Sequence, residues 1–293
     1  MNRSTRIRRY SWWTPYLYVL PGLVLYIAFV LLPLGQAGWL SLYKWDGVSQ
    51  GTWVGLDNYI DLASDPEVLA AFRHAAILVL FISVFPICLG LLLAAVLGKA
   101  VVRGSTAFRA ALFLPQVVAT VVIGLVWSWM LSLDGPVNSL LSALGLGSGT
   151  RAWLGDFDTA LPAVGLIGAW AATGLCMVLF IAGVQRIPYE LYEAARLDGA
   201  GAWREFMAIT LPGIRSELGV ALTLTVIAAL RTFDLVYVTT SGGPGQETTV
   251  PGLLIYTRAF RVGDVGSAAA IAVVLAAVLL VVSYVITQAS ERE

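Results

Sequence analysis

The sequence predicts an all-α integral membrane protein with six transmembrane helices. Three observations predict it: an excess of apolar residues, six long stretches almost free of charge, and an uneven distribution of charge between them. Hydrophobic residues make up 58% of the 293 and charged residues 12%, against about 45–50% and about 25% in soluble domains. Mean hydropathy is +0.82. That is more apolar surface than a soluble fold of this length buries, so lipid must replace the missing core. Eighteen Lys and Arg balance eighteen Asp and Glu, and without a basic excess no nucleic-acid partner is expected.

A hydrocarbon core of about 30 Å takes about 20 apolar residues as a helix. The first such stretch runs from Pro15 to about Tyr43, and the second from about Ala75 to Gly98. The third fills the gap between Arg109 and Asp134, the fourth that between Asp158 and Arg186, and the sixth that between Asp264 and Glu291. The fifth is irregular. It starts near Pro212, passes Glu217, meets Arg231 and Asp234 at depth, and ends near Val238. Backbone polar groups must be paired within lipid, and these runs lack the alternation of a barrel, so the spans are read as helices. Pro21, Pro33 and Pro86 fall inside spans and are expected to kink them.

Orientation follows from Lys and Arg near the span ends. With the N-terminus inside, twelve of them lie inside and five outside. The inside set is Arg3, Arg6, Arg8, Arg9, Lys99, Arg103, Arg109, Arg186, Arg196, Arg204, Arg215 and Arg292; the outside set is Lys44, Arg73, Arg151, Arg258 and Arg261. Acids lean the other way, ten outside and seven inside. Both termini are therefore expected in the cytoplasm, with residues 1–14 as a cytoplasmic tail and 44–74 and 239–264 as outer loops of a single membrane domain. The basic start before an apolar run resembles a signal peptide, but the run is too long and no small-residue cleavage site follows, so it is read as a retained first helix. Cys88 and Cys176 fall within spans and read as packing residues; with one histidine, His74, they form no metal-ligand cluster.

The longest inside connection, residues 186–212, is too regular for a loop. Pro188 suits the first position of a helix, helix formers continue to Asp198, and Gly199 can take the left-handed conformation that ends it. A second short helix fits Ala202 to about Ile209, stopping before Pro212. Leu191, Ala194, Ala195 and Asp198 share one face at helical spacing, and Trp203, Phe206 and Met207 give the second helix an apolar edge. Two readings stand: a hairpin packed on headgroups or on its own bundle, and a knob that docks in the groove of a soluble partner.

Glu193-Ala194-Ala195, three residues, Gly199, nine residues, then Ile209-Thr210-Leu211-Pro212 matches the EAA motif of ABC importer permeases at every defined position. Trp53-Val54-Gly55-Leu56-Asp57-Asn58-Tyr59, and Phe233-Asp234 through Tyr237-Val238 to Gly242-Gly243-Pro244, resemble the carbohydrate, maltose-permease-like branch. With the six spans, the resemblance covers nearly the whole chain. It implies the type I ABC importer permease fold and docking of the 186–212 segment on a separate ATPase through Glu193, Ala194, Ala195, Asp198, Gly199, Ile209, Leu211 and Pro212. Glu193 would be the charged contact and Gly199 the turn that shapes the knob. No phosphate loop is present in the chain, since Gly90 to Gly98-Lys99-Ala100 has the wrong spacing and no hydroxyl. No cofactor is therefore expected here; ATP and magnesium belong to the partner ATPase. The maltose permease subunit carries a large inserted external domain that the short 44–74 loop lacks, so contacts made by that domain are missing or made otherwise.

Ionisable residues at depth usually face a cavity or each other, because each costs roughly 2.5–3.5 kcal/mol at mid-helix on translocon-type scales. Arg231 and Asp234 are spaced i,i+3 and so are expected side by side on one helix. Arg231 either snorkels to the outer surface or, with Thr232 and Asp234, lines a solute cavity. Uncharged amides occupy this place in the maltose-type permease, so an arginine raises the alternative of an anionic solute. Trp170, near mid-membrane, either stacks on a sugar or packs on a neighbouring helix. Trp127 and Trp129 read as interfacial belt residues, and Thr173 and Thr225 as bonded to their own backbone. Trp53, Asn58, Tyr59, Gly243 and Pro244 are candidates for touching an external binding protein.

The expectation is thus a permease subunit in a bacterial plasma membrane, importing a sugar or oligosaccharide-type solute by alternating access. Its partners would be a second homologous permease, an ABC ATPase dimer, an extracytoplasmic solute-binding protein and membrane lipid. The alternative solute is glycerol-3-phosphate or another anionic polyol. A remote rival is a membrane-embedded enzyme using Arg231, Asp234, Asp156 and Asp158.

Overall fold

The computed structural model describes residues 13–97 and 104–291. Arg3, Arg6, Arg8, Arg9, Lys99, Arg103 and Arg292, with most of the 1–14 tail, lie outside the described residues. Span 1 is a single helix, α1 (Tyr16–Leu40). The loop after it holds a small antiparallel hairpin, β1 (Tyr43–Lys44) and β2 (Thr52–Trp53), and a short helix, α2 (Asp57–Ser64). Span 2, α3 (Pro66–Leu97), already begins inside the 44–74 stretch expected as loop. Asp65 is the reason: its carboxylate accepts the Glu67 amide at 2.8 Å, and Pro66 occupies the first helical position, a strong start signal.

Span 3 departs from expectation. Between Arg109 and Asp134 the chain forms two helices, α4 (Ser105–Val117) and α5 (Thr120–Met130), at 100° to each other. Pro115 removes a backbone donor near the end of α4, and Val117, Val118, Thr120, Val121 and Val122 form a β-branched run with weak helix preference. Val118 and Ala119 take extended ψ values of 139° and 133° at the break. A short helix, α6 (Pro136–Ala143), precedes span 4, α7 (Ala160–Val184). The 186–212 segment forms α8 (Tyr189–Leu197) and α9 (Ala202–Gly213); a 70° bend separates α9 from span 5, α10 (Arg215–Leu230). Two short helices, α11 (Asp234–Thr239) and α12 (Pro251–Tyr256), lead to span 6, α13 (Val265–Ser290). Among the described residues, four helices are long and apolar enough to cross a membrane, and up to six spans result when each bent pair counts as one.

Three prolines, Pro33, Pro86 and Pro212, widen their helices rather than break them. π-helical turns at Ile27–Leu31, Leu80–Val84 and Phe206–Thr210 are each closed by a residue bonding five back, Leu32 to Ile27, Phe85 to Leu80 and Leu211 to Phe206. The next residues are Pro33, Pro86 and Pro212. A proline has no N–H, and its ring collides with the carbonyl four residues back; an extra residue in the turn moves that carbonyl aside.

The centre of the bundle is α7, where Val164, Ala169, Cys176, Met177 and Phe180 are fully buried. Small residues let its neighbours approach. A Cβ at Gly90 of α3 would stand 2.8 Å from the Cys176 Cβ, and one at Gly174 would overlap the Leu112 carbonyl of α4. Such backbone contact is how helices gain packing energy in lipid. Thr173 and Thr225 bond their own helices as expected, and Thr225 also meets Ser83 at 2.6 Å, joining α10 to α3. At the other extreme is α1: no residue of its most apolar window is buried.

Candidate coupling loop and solute pathway

The 186–212 segment forms the elbow that its sequence describes. Pro188 is the cap and α8 begins one residue later, at Tyr189. After Leu197 the chain turns at Gly199, whose φ is +79°. The Gly199 amide donates to the Arg196 carbonyl at 3.0 Å and the Ala200 amide to Ala195 at 2.9 Å, the paired bonds of a Schellman cap. Nothing crowds the missing Cβ of Gly199, so the demand for glycine there is conformational. The expected stop of the second helix before Pro212 is corrected. With the π turn absorbing the proline, α9 continues to Gly213.

Polar contacts tie the two arms. Tyr192 is buried, and its hydroxyl lies 3.1 Å from Thr210 Oγ1. Arg196 donates from Nε to Glu205 Oε1 at 2.8 Å, from Nη2 to Oε2 at 3.4 Å, and from Nη1 to the Tyr189 hydroxyl at 3.3 Å. Glu205 first, and Tyr189 second, hold the Arg196 guanidinium above its ordinary pKa. At the base of the segment, Arg186 pairs with Glu217 at 3.1 Å, joining the ends of α7 and α10. The outward surface presents Glu193, Ala194, Asp198, Gly199 and Pro212, with Ala195, Ile209 and Leu211 half-buried. Trp203, 72% exposed, stacks on Phe206 at 5.9 Å between ring centroids.

Span 5 does not carry Arg231 and Asp234 on one helix face. The helix closes at Leu230, Arg231 is its cap, and Phe233 (φ −133°, ψ −59°) precedes a new helix starting at Asp234. A cation at the end of α10 and a carboxylate at the start of α11 each oppose a helix dipole, which explains why opposite charges flank this break. Both side chains are exposed and have no hydrogen-bond or ion-pair partner among the described residues. Thr232 donates to its own helix at Ala228, 3.0 Å away. Phe233 stacks on Tyr237 at 5.3 Å, and both rings meet Tyr256, which continues to Phe260 at 5.5 Å. This aromatic row beside the break escaped the sequence reading because Tyr256 and Phe260 are distant in sequence. Trp170 packs edge-on against Trp127 at 5.5 Å, so both rings are packing residues between α5 and α7. The Trp170 ring also borders an apolar cavity of about 370 Å³ with Phe85, Leu89, Phe108 and Pro115.

The five candidates for touching a binding protein separate. Trp53 is 56% exposed and forms an aromatic trio with Trp39 and Tyr43. Asn58, by contrast, is turned inward: its Nδ2 donates to the Ser41 and Tyr43 carbonyls at 2.7 and 3.0 Å, and Tyr59 meets Ser41 Oγ at 2.6 Å. The amide therefore fastens the loop to the end of α1 and is not presented to a partner. Removing it should cost about 1–3 kcal/mol, because one buried and one half-buried carbonyl lose their donor. Asn58→Ala is expected to lower the melting temperature in detergent, and an unchanged transition would refute this role. Gly243 and Pro244 are half-buried in a turn closed by Thr248 Oγ1, which donates to the Gly243 carbonyl at 2.9 Å. His74 is structural, with Nδ1 2.9 Å from the Thr249 carbonyl. Arg258 pairs with Asp65 and Glu67 and so joins the approach to α13 to the start of α3. Burial opposes the Asp65 charge, yet Arg258 and the Glu67 amide outweigh it and hold the carboxyl below its usual pKa.

The family of binding-protein-dependent transport system inner membrane components matches residues 86–293. The chain belongs to this family. It is a permease subunit of an ABC importer, a membrane protein working with a solute-binding protein. This permease is 39% identical to a probable ABC transporter permease protein, YurN, of Bacillus subtilis, over 92% of this chain and 93% of the relative. It is 38% identical to the diacetylchitobiose uptake system permease protein NgcF of Streptomyces coelicolor, over 88% and 77%. The trehalose/maltose transport system permease protein MalF of Thermococcus litoralis is 35% identical over 92% and 90%. A solved bacterial ABC transporter that imports the acidic polysaccharide alginate shares the fold, with a TM-score of 0.80, 24% identity and 96% of each chain covered.

Proposed function

We propose that this permease moves a sugar or oligosaccharide into a bacterial cell, powered by an ABC ATPase dimer that docks on α8 and α9. The observation that carries this reading is the elbow itself. It presents Glu193 and Ala194 on an exposed helix, half-buried Ala195 beside them and Asp198 at its C-terminal cap, and its second arm continues into α10. ATP and magnesium would be held by the ATPase, and this chain would supply no cofactor site and catalyse no covalent step. A second homologous permease and lipid would cover α1, whose unburied apolar surface needs such a cover. Both termini would be cytoplasmic, placing the elbow inside and the β1–β2 hairpin, with Trp53 and the Gly243-Pro244 turn, toward the binding protein.

The sugar assignment is supported by relatives named for diacetylchitobiose and for trehalose/maltose, which weigh against a phosphorylated polyol. Arg231, Thr232 and Asp234 would meet the solute at the break after α10. An unpaired cation and an unpaired carboxylate can together bond the hydroxyls of one neutral sugar, and neighbouring rings can take its apolar face. The test is competition of ATP-dependent uptake by diacetylchitobiose, maltose and glycerol-3-phosphate. Neutral sugars should compete; competition by the phosphate ester alone would refute the sugar assignment. Arg231→Ala should weaken uptake about tenfold, the worth of a charge-assisted hydrogen bond. Native uptake of every competitor would return Arg231 to a snorkelling role.

A further inference from the structure

Docking on α8 gives no task to Glu205, a charged residue only 6% exposed on the second arm. Its carboxylate receives Arg196 of the first arm through both oxygens, at 2.8 and 3.4 Å. A two-pronged guanidinium–carboxylate pair fixes angle as well as distance. The Tyr192–Thr210 contact, at 3.1 Å, ties the same arms at a second point. Between the arms stand only residues 198–201, with Gly199 in the left-handed region. Left to itself, such a glycine turn would flex. The second arm then runs through the bend at fully buried Ile214 into α10, the helix that ends at Arg231.

We propose that Arg196 and Glu205 are positioning residues for the power stroke. Their pair locks α8 and α9 into one lever, so displacement of the docked α8 reaches α10 instead of being absorbed at Gly199. The inference rests on the reading of α8 as the ATPase dock. It asks no direct contact with ATPase from Glu205, which lies buried behind the docking surface.

The test uses the complex isolated from its native membrane through a tag on this chain and reconstituted in liposomes. Arg196→Gln and Glu205→Gln should each retain the bound ATPase subunits and their ATP hydrolysis. Solute taken up per ATP, read with diacetylchitobiose and maltose, should fall about tenfold, within the range that changes along a coupling route produce. Arg196→Lys should recover part of the loss, since it keeps the charge without the fork. A second readout needs no solute. Spin labels at Leu197 of α8 and Val220 of α10, both exposed, are placed on a chain with Cys88 and Cys176 replaced by alanine. The label separation should stay narrow with and without ATP in the parent, and broaden in either Gln variant. Native uptake per ATP together with an unchanged distribution would overturn the proposal. Loss of ATPase from the Gln variants would also overturn it, because the pair would then serve assembly. A parent chain that retains no ATPase would overturn the docking reading itself, an outcome visible before any variant is made.

Discussion

Glu193→Lys is expected to abolish ATP-dependent uptake while leaving the chain inserted and folded. Glu193 is exposed on α8, and no hydrogen bond or ion pair to it is found among the described residues, so its replacement disturbs nothing inside the bundle. At a docked interface the change would be severe: the new cation would meet the group proposed to pair with the carboxylate. Truncating one member of a buried charge pair costs about 2–5 kcal/mol, and reversal adds repulsion, so uptake should fall at least about thirtyfold. Uptake, retained ATPase and thermal stability are measured on the same preparation. A variant with native uptake would count against Glu193 as a docking contact, and one that fails to fold would show an unsuspected structural role.

The largest effect on the fold itself is expected from Gly174→Val. A β-carbon there would overlap the Leu112 carbonyl and stand 2.7 Å from the Phe113 Cα, and backbone cannot yield as a side chain can. Overpacking costs about 1–3 kcal/mol where side chains can shift, and more where they cannot. The variant should fail to accumulate, or should melt well below the parent in detergent, whereas Gly199→Ala, at a site with no nearby atoms, should suffer only from its positive φ. Equal melting of Gly174→Val and parent would show that α4 and α7 do not approach as described.

The sequence carried the spans well where one physical rule governed. Long uncharged runs had to be helices because lipid leaves no other backbone solution, and α1, α3, α7 and α13 appear as continuous helices where those runs lie. The elbow was equally legible, because Pro188 and Gly199 act locally through their own torsions. What escaped were features set by two rules in competition. Hydrophobicity carried the eye through Pro115 and the valines after it, where backbone preference breaks span 3. The same habit carried it past Arg231, where the opposite charges are a pair of helix-end signals and not a pair on one face. Pro212 looked like a stop, but a π turn of Phe206–Thr210 accommodates it. Asn58 looked presented because it sits in an outer loop, and only the third dimension shows Ser41 and Tyr43 receiving its amide. The Arg196–Glu205 pair was within reach of the sequence as opposite charges nine residues apart across a glycine elbow; its significance depends on the burial of Glu205.

The central claim is that this chain is a passive conduit whose work is done by a docked ATPase. The direct measurement is uptake of a labelled oligosaccharide into liposomes containing the complex isolated through this chain, with and without ATP and with the binding protein present or omitted. Uptake that requires both ATP and the binding protein is the predicted result. Solute movement or turnover that persists when the ATPase has been stripped away would contradict it.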